Sequence, residues 1–275
     1  MSANGVNIRM PSTANFLIDS DNGQSPVTFL PNAANFTITK PAALLNGFFT
    51  RLAVTEVVMD WNEPNISAAL GNNTITLVLT SGPTSVTSTL PDGLYTVADV
   101  LDRIVTDCSG VITGLNVSGV GANCRLASTG AFSVTLGVND LATQLGISIA
   151  SSTSHTLNPS LNRIRYLDIT CNDLTYNQDL KDASTGSIVG DVLVRWYMSW
   201  DTPVIPDVYG FPVEMGYTPF ICRRSYAFPK QIKWNNNQPV GNVTFRMYAN
   251  GQTTPYVVAS PVGTKWMMTL LVSEV

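Results

Sequence analysis

The apolar residues of this chain follow two periods, and the period changes twice. In residues 48–61, FFTRLAVTEVVMDW, they mass along one side of an extended segment, as a strand buried mostly on one face requires. Residues 27–39 alternate in part, with Val27 and Phe29 before a break at Pro31-Asn32 and Phe36 and Ile38 after it. The same period returns late in the chain. Residues 163–170 place Ile164 and Tyr166 on one face, with Asp168 in phase, and Arg165, Leu167 and Ile169 on the other. Residues 188–200 set Val192, Val194, Trp196 and Met198 on one side. Val243, Phe245 and Met247 alternate with Thr244, Arg246 and Tyr248, and residues 266–272 close the chain as an apolar strand.

Between these two β-rich stretches the pattern becomes mixed. Residues 74–79 read as a strand that pairs with 86–90 across Ser81-Gly82-Pro83. A turn at Pro91-Asp92-Gly93 leads to Thr96, an N-cap with Asp99 three residues on, the arrangement of a capping box. Val97, Val100, Leu101, Ile104 and Val105 then recur at helical spacing, Cys108 extends the stripe, and Gly110 stops the helix. Strand pieces are expected at 111–117, 123–128 and 131–136. A short second helix is expected from Asn139 to Gly146, followed by a polar linker over 150–160.

The economical organisation is one β-sandwich or jelly roll, mainly β, built from residues 27–66 and 157–275. A small α+β domain, 67–156, is inserted between two of its strands. Residues 1–26 read as an N-terminal arm around one apolar knot, Phe16-Leu17-Ile18. The stretch holding Pro203, Pro206, Pro212, Pro219 and Pro229 reads as loop, because prolines that dense exclude central strands. A loop so rich in aromatics is expected to pack on something.

Composition narrows the class. Of 275 residues only 12% are Asp, Glu, Lys or Arg, while 44% are apolar and the mean hydropathy is +0.14. A polar but uncharged surface is cheap to bury, since an amide or hydroxyl costs far less to desolvate than an ion. Shared interfaces are therefore expected. The net charge of −4 is not the footprint of a nucleic-acid binder. No apolar run reaches the ~20 residues of a membrane span, and no secretory leader is visible at the N-terminus. Cys108, Cys124, Cys171 and Cys222 have no metal-ligand spacing. They are expected as buried free thiols, with a Cys108–Cys124 disulfide as the alternative. The sequons at Asn35, Asn65, Asn72, Asn116 and Asn242 are chance features of an Asn/Thr-rich chain.

The residues offer little chemistry. The one histidine, His155, falls in the expected linker and reads as solvated. Asp168, Asp173, Asp179, Asp182, Asp191, Asp201 and Asp207 are scattered and read as turn and cap residues. No nucleophile elbow, phosphate loop or zinc-protease motif occurs, so the chain is read as no enzyme, with no catalytic set, no cofactor and no metal. The residues singled out for contact are Phe16, Leu17, Ile18, Tyr209, Phe211, Tyr217, Phe220, Arg223 and Arg224.

One resemblance runs through the layout. NFLIDS (Asn15–Ser20) precedes a strand and an insertion carrying N-x-I-T-L (Asn73–Leu77), P-D-G-L-Y-T (Pro91–Thr96) and N-D-L-A-x-x-L-G (Asn139–Gly146). The chain then returns with R-x-L-D-I-x-C-x-D-L (Arg165–Leu174). Together these resemble the penton, or minor capsid, proteins of virophages, Polinton-like viruses and adintoviruses. The resemblance implies a single jelly roll with strands lettered B to I in two four-stranded sheets, and a homopentamer at the fivefold vertices of an icosahedral capsid. Trimers of a double jelly-roll major capsid protein would surround it, and the insertion would project as a knob that can touch a host receptor. It also implies a virion location, with assembly in the host cytoplasm or nucleus. Two other readings stay open: a carbohydrate-binding or host-attachment sandwich, supported by the loop aromatics, and a capsid or cement protein away from the vertex.

Overall fold

The computed structural model describes residues 13–20, 34–39, 49–82, 84–135, 141–161, 164–175, 192–198, 205–233, 241–250, 256 and 264–274. Alternation decides how the strands associate. In the closing strand β14 (Lys265–Ser273), Trp266, Met268, Leu270 and Val272 are buried and the residues between them are not. It pairs antiparallel with β1 (Thr13–Asp19) on one side and with the long β3 (Arg51–Trp61) on the other. β11 (Phe220–Ser225) and the short β12 (Gln231–Lys233) share the far edge of β3, completing the order β1-β14-β3-β11. A second antiparallel sheet runs β10-β9-β13-β2, from β10 (Val192–Tyr197), β9 (Tyr166–Thr170), β13 (Asn242–Ala249) and β2 (Asn35–Thr39).

Lettered B to I in chain order, with β12 continuing G, these strands fall as B-I-D-G and C-H-E-F. That is the order of a single jelly roll. The two inner faces share one hydrophobic cluster. Ile18, Val57, Met59, Trp266 and Met268 come from the first sheet, and Phe36, Leu167, Ile169, Trp196, Phe245 and Met247 from the second. Across the gap, the rings of Phe36, Phe245 and Trp266 meet with centroids 5.3 to 5.7 Å apart. Such aromatic contacts add to the area term that holds sheet on sheet.

The chain between D and E builds a third sheet, in the order β5-β4-β7-β6 with β8 also on β7. Here β4 (Thr74–Leu79) and β5 (Ser85–Thr89) form the expected hairpin. β6 (Asn116–Ser118), β7 (Arg125–Thr135) and β8 (Ser152–Thr156) complete the sheet. The helix α1 (Val97–Cys108) starts at a complete capping box: the Thr96 side chain accepts from the Asp99 N–H, and Asp99 accepts from the Thr96 N–H at 2.9 Å. Its stripe Val97, Val100, Leu101, Ile104 and Cys108 packs in a second cluster with Leu77, Leu126 and Phe132, joined by Leu141 and Leu145 of α2 (Leu141–Leu145).

Four expectations change. First, Thr13–Asp19 is strand B rather than arm, and Ile18 lies in the core, because its partner β14 lies at the opposite end of the chain. Second, the pieces 123–128 and 131–136 are one strand, β7, whose pairing with β8 shifts register between Ala127 and Phe132. Third, residues 152–156 are strand rather than linker, and His155 is 2% exposed. Its ring nitrogens each lie 3.0 Å from a carbonyl oxygen, of Ser148 and of Phe132. Fourth, the Pro-rich stretch contains strand G. Pro219 and Pro229 flank it at an edge, where proline is tolerated. Residues 1–12, 27–33 and 40–48, and Trp200, Pro203 and Trp234, lie outside the described residues.

Two measurements check this core. Trp266→Ala removes the ring that bridges the sheets, and denaturant unfolding should show a loss of about 3–5 kcal/mol. Cys108, Cys124 and Cys171 are buried and Cys222 is half-buried, all as free thiols, so the disulfide alternative is not formed. Burial pushes Cys108 up to about 11 and Cys171 up to about 12 from a reference of 9.0. A group with a raised folded pKa stabilises the fold fully below its unfolded value, and the contribution is lost as pH rises through the folded one. Thiol titration at pH 8 should find at most Cys222 reactive in native protein and all four after unfolding. Stability should fall with pH from about 9 upward.

Candidate functional site

The register of the first sheet fixes where the insertion must land. Trp61, the last residue of D, stands opposite Phe220, the first of G. The chain therefore leaves D for the insertion at the point where the F–G loop arrives, and the two segments meet.

Asp207 is the centre of that meeting. One carboxylate oxygen accepts from the Tyr209 and Phe211 N–H groups at 2.9 and 3.0 Å, closing a tight turn. The other accepts from the N–H of Ala98 at 3.0 Å, in the first turn of α1. A carboxylate there satisfies an orphan donor and meets the positive end of the helix dipole. The carbonyl of Tyr209 accepts from the Gly121 N–H at 2.7 Å, and the Tyr209 hydroxyl donates to Asp102, which pushes that phenol up to about 12. Tyr217 Oη accepts from the Leu161 N–H at 3.2 Å. Gly210 has φ +80°, and a Cβ there would sit 2.4 Å from Val120 Cγ1, so only glycine allows this approach.

The nine contact candidates thus divide. Phe211 and Tyr217 are buried in the insertion's own cluster, with Tyr209 packed at its margin. These aromatics are anchors on a surface of the same chain. Ile18 and Phe16 face the sandwich core, and Phe220 packs there from strand G. Arg224 turns inward, its guanidinium 4.9 Å from the Trp196 ring. Leu17 and Arg223 remain on the outer face of the first sheet, where Arg223 pairs with Glu56 at 2.6 Å.

Several structural residues were not foreseen. Asp168 of strand E is buried on the outer face of the second sheet and holds Arg195 of strand F at 2.7 and 2.8 Å. The Arg195 guanidinium in turn lies 4.1 Å from the Tyr166 ring, beside Tyr197. Asn65 binds both backbone groups of Tyr95, and Asn72 binds Ser67, Asn65 and Gln144. Two of the five sequons are therefore buried amides that hold the insertion's entrance. Asp173 accepts from the Thr244 N–H, and Asp207 and Asp173 do the turn and cap work expected of scattered carboxylates. Among the described residues no group of three or more His, Cys, Asp or Glu could hold a metal ion, and no helix is long and apolar enough to cross a membrane.

Asp207→Ala should destabilise the docked loop by about 1–2 kcal/mol, the usual cost of a lost helix cap. Hydrogen exchange should quicken at Ala98 and across 207–211 while the exchange of β14 stays unchanged. Unaltered exchange at Ala98 would show that the carboxylate does not hold the two parts together.

No protein-family model matches the chain, and no curated relative does. Among solved structures, it is similar to the mavirus penton protein at 12% identity, over 97% of this chain and 100% of that one, with a TM-score of 0.49. It is also similar to a chain of the Sputnik virophage at 13% identity, over 96% and 98%, with a TM-score of 0.43.

Proposed function

We propose that this chain is a structural capsid protein and not an enzyme: a penton subunit that forms fivefold rings at the vertices of an icosahedral shell and contacts major capsid protein trimers around it. The observation that carries the reading is a complete jelly roll whose core is closed, yet whose surface still shows large apolar side chains. Leu17, Tyr197, Ile205, Val208, Ile221 and Phe228 are exposed on a chain with only 12% charged residues. Single exposed apolar residues are ordinary. Leu17, Tyr197 and Ile221 lie on the outer sides of strands whose inner sides already fill the core, and Ile205, Val208 and Phe228 lie in the loops before and after strand G, which suits a protein finished by its neighbours. The sequence resemblance in Asn15–Ser20, Pro91–Thr96 and Arg165–Leu174 supports the vertex among shell positions.

The insertion is the knob of this reading, a unit with its own sheet, helices and hydrophobic cluster. Its separability carries one condition. Because Phe211 and Tyr217 of the F–G loop, and Ile66, Leu157 and Leu161 at the two junctions, are buried in its cluster, removing residues 67–156 alone would leave these side chains in water. Replacing 66–161 with a short Gly-Ser link and changing Phe211 and Tyr217 to Ser should give a soluble, β-rich sandwich, since lengthening or shortening a surface connection costs little. Loss of all β structure by circular dichroism would refute the two-unit reading.

The assembly claim is tested by negative-stain imaging and mass photometry of purified protein, with rings of five chains expected. The carbohydrate-binding alternative rests on the Tyr166–Tyr197–Arg195 group on the outer face of the second sheet. A shell subunit should be blank on a glycan array, and a specific glycan hit that disappears with Tyr197→Ala would favour the alternative.

A further inference from the structure

Register turns the exposed residues of the first sheet into a pattern. Met267 stands opposite Val58, and Val58 opposite Arg223, with Asp19 opposite Met267 at the other end of the row. The next row along the strands runs Leu17, Thr269, Glu56, Ser225. The row on the other side runs Lys265, Asp60, Ile221. The inner neighbours Ile18, Met59, Trp266 and Met268 are buried, so all these side chains face outward. Leu17, Met267, Val58 and Ile221 therefore form a diagonal apolar ridge across all four strands, with Leu17 67% and Ile221 74% exposed at its ends and Met267 40% exposed between them.

The ridge has the anatomy of an interface, an apolar centre with a charged margin. Four strands ~4.8 Å apart and ~30 Å long give a face of about 600 Å² before side-chain relief, near the ~800 Å² per partner of a specific contact. Its three rows hold Asp19, Glu56 and Asp60 against Arg223 and Lys265, one carboxylate in excess. The outer face of the second sheet holds the reverse. Among its described strand residues, Arg195 and Arg246 stand against Asp168, one guanidinium in excess, beside the 50% exposed Tyr197 and its neighbour Tyr166. Tyrosine and arginine are the side chains most often decisive at interface centres.

We infer that the partner of the ridge is a second copy of this chain, which places the outer face of its C-H-E-F sheet, through Tyr197 and Arg195, on the Leu17–Met267–Val58–Ile221 diagonal of the first. The inference rests on the ring-forming reading above and names the flanks that make the ring. The two surfaces lie on opposite sides of one sandwich. The contact is therefore heterologous and repeats head to tail until rotation closes it.

Complementation tests the pairing with full-length protein. Leu17→Glu/Ile221→Glu spoils the ridge and Tyr197→Glu/Arg195→Glu spoils the opposite face. Met267→Lys and Tyr197→Ser serve as second variants should a double substitution impair folding, which circular dichroism checks. Each ridge or face variant should remain single by mass photometry, with association weakened about 30-fold or more. An equimolar mixture of one of each kind should give two-chain species, because one intact ridge and one intact opposite face remain. Rings that persist in folded ridge variants, or mixtures that stay single, overturn this pairing and leave the ring-forming role standing. A wild-type chain that is single at every concentration overturns both.

Discussion

A strand has two faces and a sandwich can cover only one of them. In this chain the inner face is filled by a continuous cluster from Ile18 to Val272, bridged by the Phe36, Phe245 and Trp266 rings. Because side chains alternate with period two, no residue between the buried ones can serve that core. An apolar side chain at an outward position is thus free of the demand that explains its neighbours. Leu17, Met267 and Ile221 have to be understood by what lies outside the molecule, and the same chain of reasoning makes Trp266 informative only about folding.

The second constraint is where the chain crosses. D and G are hydrogen-bonded neighbours, with Trp61 beside Phe220, so an insertion after D emerges next to the loop before G. This proximity explains why the F–G loop, and no other described loop, gives its aromatics to the insertion's core. It also explains the chemistry of the joint. Helix α1 offers an unpaired N–H in its first turn, and Asp207 supplies a carboxylate that already closes its own turn. The insertion is held by its two covalent connections and by this third, noncovalent one. Its orientation on the sandwich is then set by named hydrogen bonds rather than by linker length.

How far the sequence revealed this follows from how local each feature is. The Thr96–Asp99 box and the stripe from Val97 to Cys108 lie within one short segment, and both were legible residue by residue. The β4–β5 hairpin was legible for the same reason. Strand B was not, because Thr13–Asp19 acquires its identity from residues 267–273. Strand β8 was hidden by its composition: STSHT carries no apolar alternation, and it is a strand because β7 supplies the partner, with the Phe132 carbonyl of β7 3.0 Å from a ring nitrogen of His155. Strand G was hidden by a rule applied too broadly, since proline excludes a central position and leaves an edge open. The sequence pointed to aromatic anchors such as Phe211, which binds its own insertion, and passed over Tyr197, which faces out. Only the third dimension separates a residue spent within the chain from one still available.

That separation also decides between kinds of surface. A site for a small ligand gathers polar groups into a concavity around a few fixed donors. The outer faces here do the opposite. Asp168 is paired by Arg195 and Glu56 by Arg223, and between exposed charges such as Asp60, Lys265 and Arg246 these faces carry aliphatic and aromatic side chains spread over the breadth of a sheet. Paired charges of this kind fix side-chain positions, and the retained counter-ion offsets part of the desolvation cost when water is removed. A broad, weakly charged, pre-ordered face is matched by another protein face of the same kind, and a jelly roll carries two of them back to back. The fold that hides its core so completely is for that reason suited to build by repetition: the surfaces it cannot cover alone are those that a neighbouring copy, set in the same orientation around a ring, can cover for it.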